Sequence, residues 1–297
     1  MKYSLDLSKD NVDEIINEYN KQIKKRTKKT SRIWGLLLLF YMIIMVLIAI
    51  VFPETLKGGV STFLYFIYGG IAGVILLVGL LISSFVGSEK PFHNVVMKEI
   101  VDYMNKHSDT YLEYTAYPKK EDQINKRGGL FTRFASMDIK DKMVGKTNSL
   151  NKYTCYNMRL YTSDGKNQIT IFSGIYFVIQ FSVGRLLQIR THSKPKLKGM
   201  KFEKLEIENP LRIYVAKDEV LDVEERFIKL VSEMKTKLRA KKIFFSTVNN
   251  EIHFAFEGKK MFRKPKNMDE KVLDETFDKI NLLVATANEI VERLNNY

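Results

Sequence analysis

Side chains that ligate metals, move protons or attack carbon are few in this 297-residue chain, and their spacing is irregular. The four histidines, His93, His107, His192 and His253, stand at unrelated intervals, and Cys155 is the single cysteine. A zinc site gathers three or four Cys, His or acidic ligands, usually with short recurrent spacings, so no metal site is expected. No G-x-S-x-G, P-loop or dinucleotide fingerprint occurs. No catalytic residue and no cofactor-binding residue is therefore assigned. Two acidic clusters remain, Glu203, Glu206 and Glu208, then Asp222, Glu224 and Glu225. Paired carboxylates can divide acid and base work between them, but such runs are ordinarily solvated faces, and the pattern favours that reading. His253 alternates with Ile252 and Phe254, which predicts a histidine facing solvent from a strand. The lone cysteine excludes an internal disulfide and suits a reducing compartment.

The elements that must position these residues begin with a membrane anchor. From Ile33 to Phe52 no charged residue occurs, and about twenty apolar residues cross ~30 Å of hydrocarbon as a helix. A connector with Pro53, Glu54, Lys57 and Gly58-Gly59 leads to a second uncharged run, Thr62 to Val86. Backbone in lipid must satisfy its own hydrogen bonds, so the two runs predict a transmembrane hairpin over 33–86. Gly69 and Gly73 share a helix face and permit close approach of another backbone. The first span is the expected partner, with a homodimer as the alternative. Neither run contains Asp, Glu, Lys, Arg or His, which argues against a proton or ion pathway.

Orientation follows from the basic residues beside the first run. Lys21, Lys24, Lys25, Arg26, Lys28, Lys29 and Arg32 precede it, whereas the connector offers Lys57 against Glu54. Positive charge stays on the cytoplasmic side. The expectation is a two-pass protein of a bacterial inner membrane, with residues 1–32 and the domain 88–297 in the cytoplasm. A cleaved signal peptide is disfavoured, because the preceding region is too long and the apolar core exceeds ~15 residues. Val12, Ile15, Ile16, Tyr19 and Ile23 recur at helical spacing ahead of the basic cluster. That amphipathic helix either lies on anionic lipid or docks on the soluble domain. Ten basic and six acidic residues fall within 1–87, leaving 38 and 28 beyond, so both parts are basic, as suits an anionic leaflet. A pI near 9.5 would also fit nucleic acid, but no RNP-like or OB-like signature accompanies it, and that partner is disfavoured.

Beyond the anchor the pattern is α+β. Val95, Val96, Ile100, Tyr103 and Met104 predict a helix after Pro91. Strands are expected at Tyr153–Thr162, Gln168–Phe181 and Leu186–Thr191, with Ser163-Asp164-Gly165-Lys166 as a hairpin turn and Ser173-Gly174 as a bulge. Lys194–Lys201 is a basic loop. Short strands at Phe202–Ile207 and Leu211–Val215 precede a helix of about twenty residues capped by Asp218. A hairpin, Lys242–Val248 and Glu251–Phe256, turns at Asn249-Asn250. A last helix carries Leu273, Phe277, Ile280, Val284, Ala287, Val291 and Leu294. Short turns between strands imply antiparallel pairing, so the tail is read as a mainly antiparallel sheet with packed helices.

Several of these segments resemble one bacterial family. Leu205-Glu206, Glu208-Asn209-Pro210, Ile213-Tyr214, Asp218 and Val223-Glu224-Glu225-Arg226-Phe227 are similar to the signature of the two-pass membrane proteins grouped as domain of unknown function 3137. In that family an acidic-Pro strand precedes a tyrosine-containing strand and a helix opening Val-Glu-Ala-Arg-Tyr. Glu224 and Arg226 match, while Glu225 and Phe227 depart. Val144-Gly145-Lys146, Phe172 with Gly174 and Phe177, Ile243–Ser246 and Ile252–Ala255 add to the resemblance. It implies one membrane-anchored α+β domain, with Glu206, Glu208, Pro210, Tyr214, Asp218, Glu224 and Arg226 as family-like positions. It implies no activity. Glu224 and Arg226 are two apart on a helix, point to different sides and cannot pair with each other.

Together these readings predict a membrane-anchored cytoplasmic binding or scaffold module with lipid and a protein partner. The alternative is a membrane-tethered hydrolase or transferase using Glu206, Glu208 and Glu224.

Overall fold

One helix runs from the amphipathic segment into the apolar run without a break. In the computed structural model, α1 spans Lys9–Val51, 43 residues, or roughly 65 Å at the rise of an α-helix. The amphipathic helix and the first apolar run, read separately from the sequence, are continuous because no proline or capping glycine lies between them. The structure describes residues 9–51, 67–79, 91–107, 111–119, 128–131, 134–163, 165, 167–182, 187–191, 201–206, 210–216, 225–248, 250–258, 262 and 268–295. Among them one stretch, Val12–Ile48 of α1, is long and apolar enough to cross a membrane. The second apolar helix, α2, is described over Ile67–Gly79. The Pro53–Ser61 connector and both ends of the second run lie outside the described residues.

The chain divides into two compact units. One comprises residues 7–96 with 266–268; the other comprises 97–265 and 269–297 together with 1–6. In the first, Val12, Ile15 and Tyr19 of α1 are buried, and α1 packs against a π-helical turn at Phe92–Val96. The Tyr41 hydroxyl of α1 donates to the Gly69 carbonyl of α2. A methyl group at Gly69 would meet Met45 Cε, and one at Gly73 would touch the Tyr41 ring.

The second unit opens with α3, Met97–His107, whose Met97, Ile100, Val101 and Met104 are buried. Asn105 then clamps the start of the sheet, its side chain exchanging two 2.8 Å hydrogen bonds with the Leu112 backbone. The strands are β1 Leu112–Ala116, β2 Ser136–Lys146, β3 Lys152–Ser163, β4 Gln168–Gln180, β5 Leu187–Arg190, β6 Phe202–Lys204, β7 Arg212–Ala216, β8 Lys242–Val248 and β9 Glu251–Glu257. They form one sheet in the order β1-β2-β3-β4-β9-β8-β5-β7-β6, and every pairing is antiparallel. Helix α4, Glu225–Lys237, separates β7 from β8, and α5, Glu270–Asn295, closes the chain. Asp269 caps α5, its Oδ1 accepting from the Val272 amide at 2.9 Å.

Both sheet faces are covered. On one, Phe227 of α4 meets Phe245 with ring centroids 5.9 Å apart, and α5 packs on α3 and α4 through contacts that include Tyr103 against Phe277. The expected stripe of α5 is buried throughout, Ala287 included. On the other face Leu130 and Phe131 lie over Phe172, Tyr176 and Phe244. Burial on both sides is why Tyr153, Cys155 and Tyr156 are all buried on one strand.

Two register details differ from expectation. The β3–β4 irregularity falls at Ile171, between the pairs Leu160–Phe172 and Tyr161–Thr170, and not at Ser173-Gly174. Gly174 sits in the regular ladder, where an added Cβ would meet the Phe256 carbonyl oxygen. A second bulge at Lys140 reverses the sidedness of β2. Met137 and Ile139 join the Leu130 side, while Asp141, two residues later, joins the helix side. The helix expected from Asp218 is described from Glu225 onward; Asp218 itself lies outside the described residues.

Candidate functional site

Polar residues enter this doubly covered sheet at two places, one on each face. On the face beneath Leu130, three adjacent strands present His253, Ser246 and Gln188 as direct register partners. Arg190 follows two residues along β5, on the same face. All four are buried, and Arg190 retains 3 % exposure. The Arg190 Nη1 donates to Gln188 Oε1 at 3.4 Å, Nη2 donates to the Leu130 carbonyl, and the guanidinium carbon lies 5.4 Å from the Phe244 ring centre. Burial lowers the Arg190 pKa to about 10, because desolvation disfavours the charged form. His253 Nδ1 lies 3.0 Å from the Tyr176 hydroxyl. Its Nε2 is 3.1 Å from Glu251 Oε2, close enough for attraction but off the line of a hydrogen bond.

The opposite face holds a carboxylate. Asp141 is buried, with Oδ1 accepting from the Tyr114 hydroxyl at 2.6 Å and Oδ2 accepting from Asn157 Nδ2 at 2.7 Å. Cys155, the register partner of Met143, lies within its field. Burial first, then Asp141, push the Cys155 thiol well above its ordinary pKa. Burial likewise raises the Tyr114 phenol, with Asp141 adding to the shift. A thiol held neutral is a poor nucleophile. This cluster satisfies itself, and its chemistry is structural.

The residues singled out from the sequence are dispersed. Lys21, Lys24, Lys25, Lys28, Lys29 and Arg32 are exposed along α1; Arg26 belongs to α1, but its side chain is outside the description. Glu206, 86 % exposed, pairs with Lys204 at 3.1 Å. Glu203 is half-buried on β6, and Glu225 is exposed in the first turn of α4. Pro210 is exposed and Tyr214 is buried on β7. Glu208, Asp218, Asp222, Glu224, His192 and the 194–200 part of the basic loop lie outside the described residues, as does the Arg226 side chain. The expectation of a solvent-facing His253 is wrong: it is fully buried, because both faces of β9 are covered. His93 is also buried, whereas His107 stacks on Tyr103 at the end of α3. Among the described residues, no group of three or more His, Cys, Asp and Glu is placed to hold a metal ion. Sequence reasoning missed Gln188, Arg190 and Ser246. Their signal was a polar residue inside an apolar run, as in Ile243-Phe244-Phe245-Ser246.

No family model and no curated protein sequence matches the chain. Among solved structures, the crystal structure of the mycobacterial trehalose monomycolate transport factor A, TtfA, aligns with a TM-score of 0.31 and 9 % identity. The alignment covers 65 % of this chain and 95 % of that one.

Proposed function

We propose that this chain is a membrane-anchored binding or scaffold module, with two spans and its α+β domain in the cytoplasm of a bacterial inner membrane. On this reading it belongs with the two-pass proteins of domain of unknown function 3137. The observation that carries the anchor is the surface of α1. None of its most apolar 18-residue window is buried inside the protein, and Leu36, Phe40 and Ile50 are each more than 60 % exposed. So much exposed apolar helix is stable in lipid and a liability in water. The exposed basic arc immediately before it supports this orientation. The binding role is favoured by an acidic position, Glu206, that stands in solvent and pairs with Lys204.

Topology and partner are tested separately. A reporter fused after Tyr297 should be active in its cytoplasmic form, and a cysteine placed in Pro53–Ser61 should be labelled from the periplasm. The opposite pattern refutes the orientation. Co-purification from native membranes should retain a protein partner through mild detergent. A turnover lost on alanine substitution of Glu206, Glu208 and Glu224 in a folded protein would overturn the binding reading.

A further inference from the structure

We propose that Arg190, Gln188 and Ser246 form a buried seat for a small oxyanion, a carboxylate or phosphate group, on the sheet face beneath Leu130. Register sets the arrangement. Ser246 directly opposes Gln188 across β8 and β5, and opposed side chains in an antiparallel pair stand about 5 Å apart at Cβ. Arg190 occupies the next position on the same face of β5. The hydrogen bonds within the cluster then fix which atoms remain. Gln188 Oε1 accepts from Arg190, so its amide nitrogen turns elsewhere; Arg190 Nη2 is held by the Leu130 carbonyl. Gln188 Nε2, Arg190 Nε and Ser246 Oγ are left buried with no protein partner. Two of the three are obligate donors, and the hydroxyl can donate. A guest that satisfies all three must accept.

Charge decides between neutral and anionic guests. The guanidinium meets a carbonyl, an amide oxygen and an aromatic ring, and among the described residues no carboxylate pairs with it. A buried cation is ordinarily matched by a counter-charge, which water cannot supply. Glu251 stands beside His253 on β9, two strands from β5 in the sheet order, and does not serve. Burial lowers the Arg190 pKa, and the nearby Tyr214 offsets only part of that shift. An oxyanion presents several acceptors and the missing charge together.

The test is thermal unfolding of the full-length protein in neutral detergent, at fixed ionic strength, with chloride, acetate, phosphate or glycerol phosphate. An oxyanion should raise Tm over chloride by about 3 °C or more, saturably. A rise with acetate or phosphate assigns a free anion, and a rise with glycerol phosphate alone assigns a lipid headgroup. Ser246→Ala removes an unpartnered donor, so it should fold and keep its Tm in chloride, whereas Gln188→Leu also removes the acceptor of Arg190 Nη1 and should start from a lower Tm in chloride. Each should weaken the oxyanion response about tenfold. Equal Tm in all four anions overturns the proposal. So does an anion response that both variants leave unchanged.

Discussion

Tyr176 and His253 lie diagonally across the β4–β9 pair, hydroxyl to Nδ1 at 3.0 Å, with neither ring exposed. Gly128 closes over the contact: a methyl group there would sit 2.5 Å from the imidazole Cγ and 2.6 Å from the Tyr176 hydroxyl oxygen. Tyr176→Phe should therefore cost about 1–3 kcal/mol, since it strands a buried ring nitrogen. Gly128→Ala should cost a similar amount, about 1–3 kcal/mol, through overpacking. Urea unfolding of Gly128→Ala, His253→Ala and the double variant measures the link directly. A coupling above about 0.5 kcal/mol is expected. Strict additivity would mean that Gly128 does not press on the imidazole.

The alkaline limit of stability should be set partly by three groups of this sheet. Cys155, Tyr153 and Tyr114 have pKa values raised above their unfolded values, in each case chiefly by burial. A raised acid stays protonated in the fold while the unfolded chain ionises. Its contribution is full below the unfolded pKa, about 8.5 for a thiol and 10 for a phenol, and declines as pH rises from there toward the folded pKa. Unfolding free energy should fall from about pH 8.5 upward. Cys155→Ala should flatten the first part of that fall and leave the part above about pH 10 in place. A wild-type stability independent of pH between about 8 and 11 would contradict this account.

Periodicity made much of the fold legible. The stripe Leu273 through Leu294 gave α5 and its buried face, and the Lys242–Val248 and Glu251–Phe256 runs gave the β8–β9 hairpin nearly to the residue. The turn at Asn250 follows from its positive φ of 59°, which asparagine tolerates. Sidedness was not legible, because alternation reports exposure only where one face meets water. His253 and Ser246 occupy the same face of neighbouring strands, yet nothing in Ile-His-Phe or Phe-Ser-Thr says that Gly128–Phe131 will cover them. Asp141 was hidden differently. The bulge at Lys140 leaves the odd-numbered residues buried on both sides of it while exchanging the face they occupy, so the sequence pattern runs through unchanged. The candidate site was invisible for the same reason: its residues come from β5 and β8, more than fifty positions apart, and meet only through register.

Asp141 offers a sharper test of a satisfied network. Its two oxygens accept from Tyr114 and Asn157, both of which are donors there. Asp141→Asn replaces one acceptor by an amide that must face a donor. The expected loss is about 1–3 kcal/mol in urea unfolding, with the raised Tyr114 pKa moving back down as the carboxylate disappears. Tyr114→Phe should cost less, about 0.5–1.5 kcal/mol, since Asn157 continues to bond the carboxylate. A neutral Asp141→Asn would mean that the carboxylate charge, and not its bonding, is what the fold tolerates at a cost.

The basic arc of α1 should hold lipid by charge alone. Lys21, Lys24, Lys25, Lys28, Lys29 and Arg32 are exposed, whereas Val12, Ile15 and Tyr19 of the apolar stripe are buried in protein and Ile16 and Ile23 are half-buried. Each lysine close to an anionic surface contributes at most about 1 kcal/mol, and neighbouring lysines share lipids, so the sum falls short of that ceiling. The attraction reaches about 8 Å at physiological salt and should fade as salt rises. A peptide spanning Ser8–Arg32 tests this. It should bind anionic vesicles at low salt, ignore neutral ones, and lose binding when Lys24, Lys25, Lys28 and Lys29 become Gln. Ile15→Ser with Tyr19→Ser should leave that binding nearly unchanged, because the charges sit on the following turns. Binding that survives high salt and depends on Ile15 and Tyr19 would instead place the apolar stripe in the bilayer, and the burial of Val12, Ile15 and Tyr19 would then describe a state that lipid displaces.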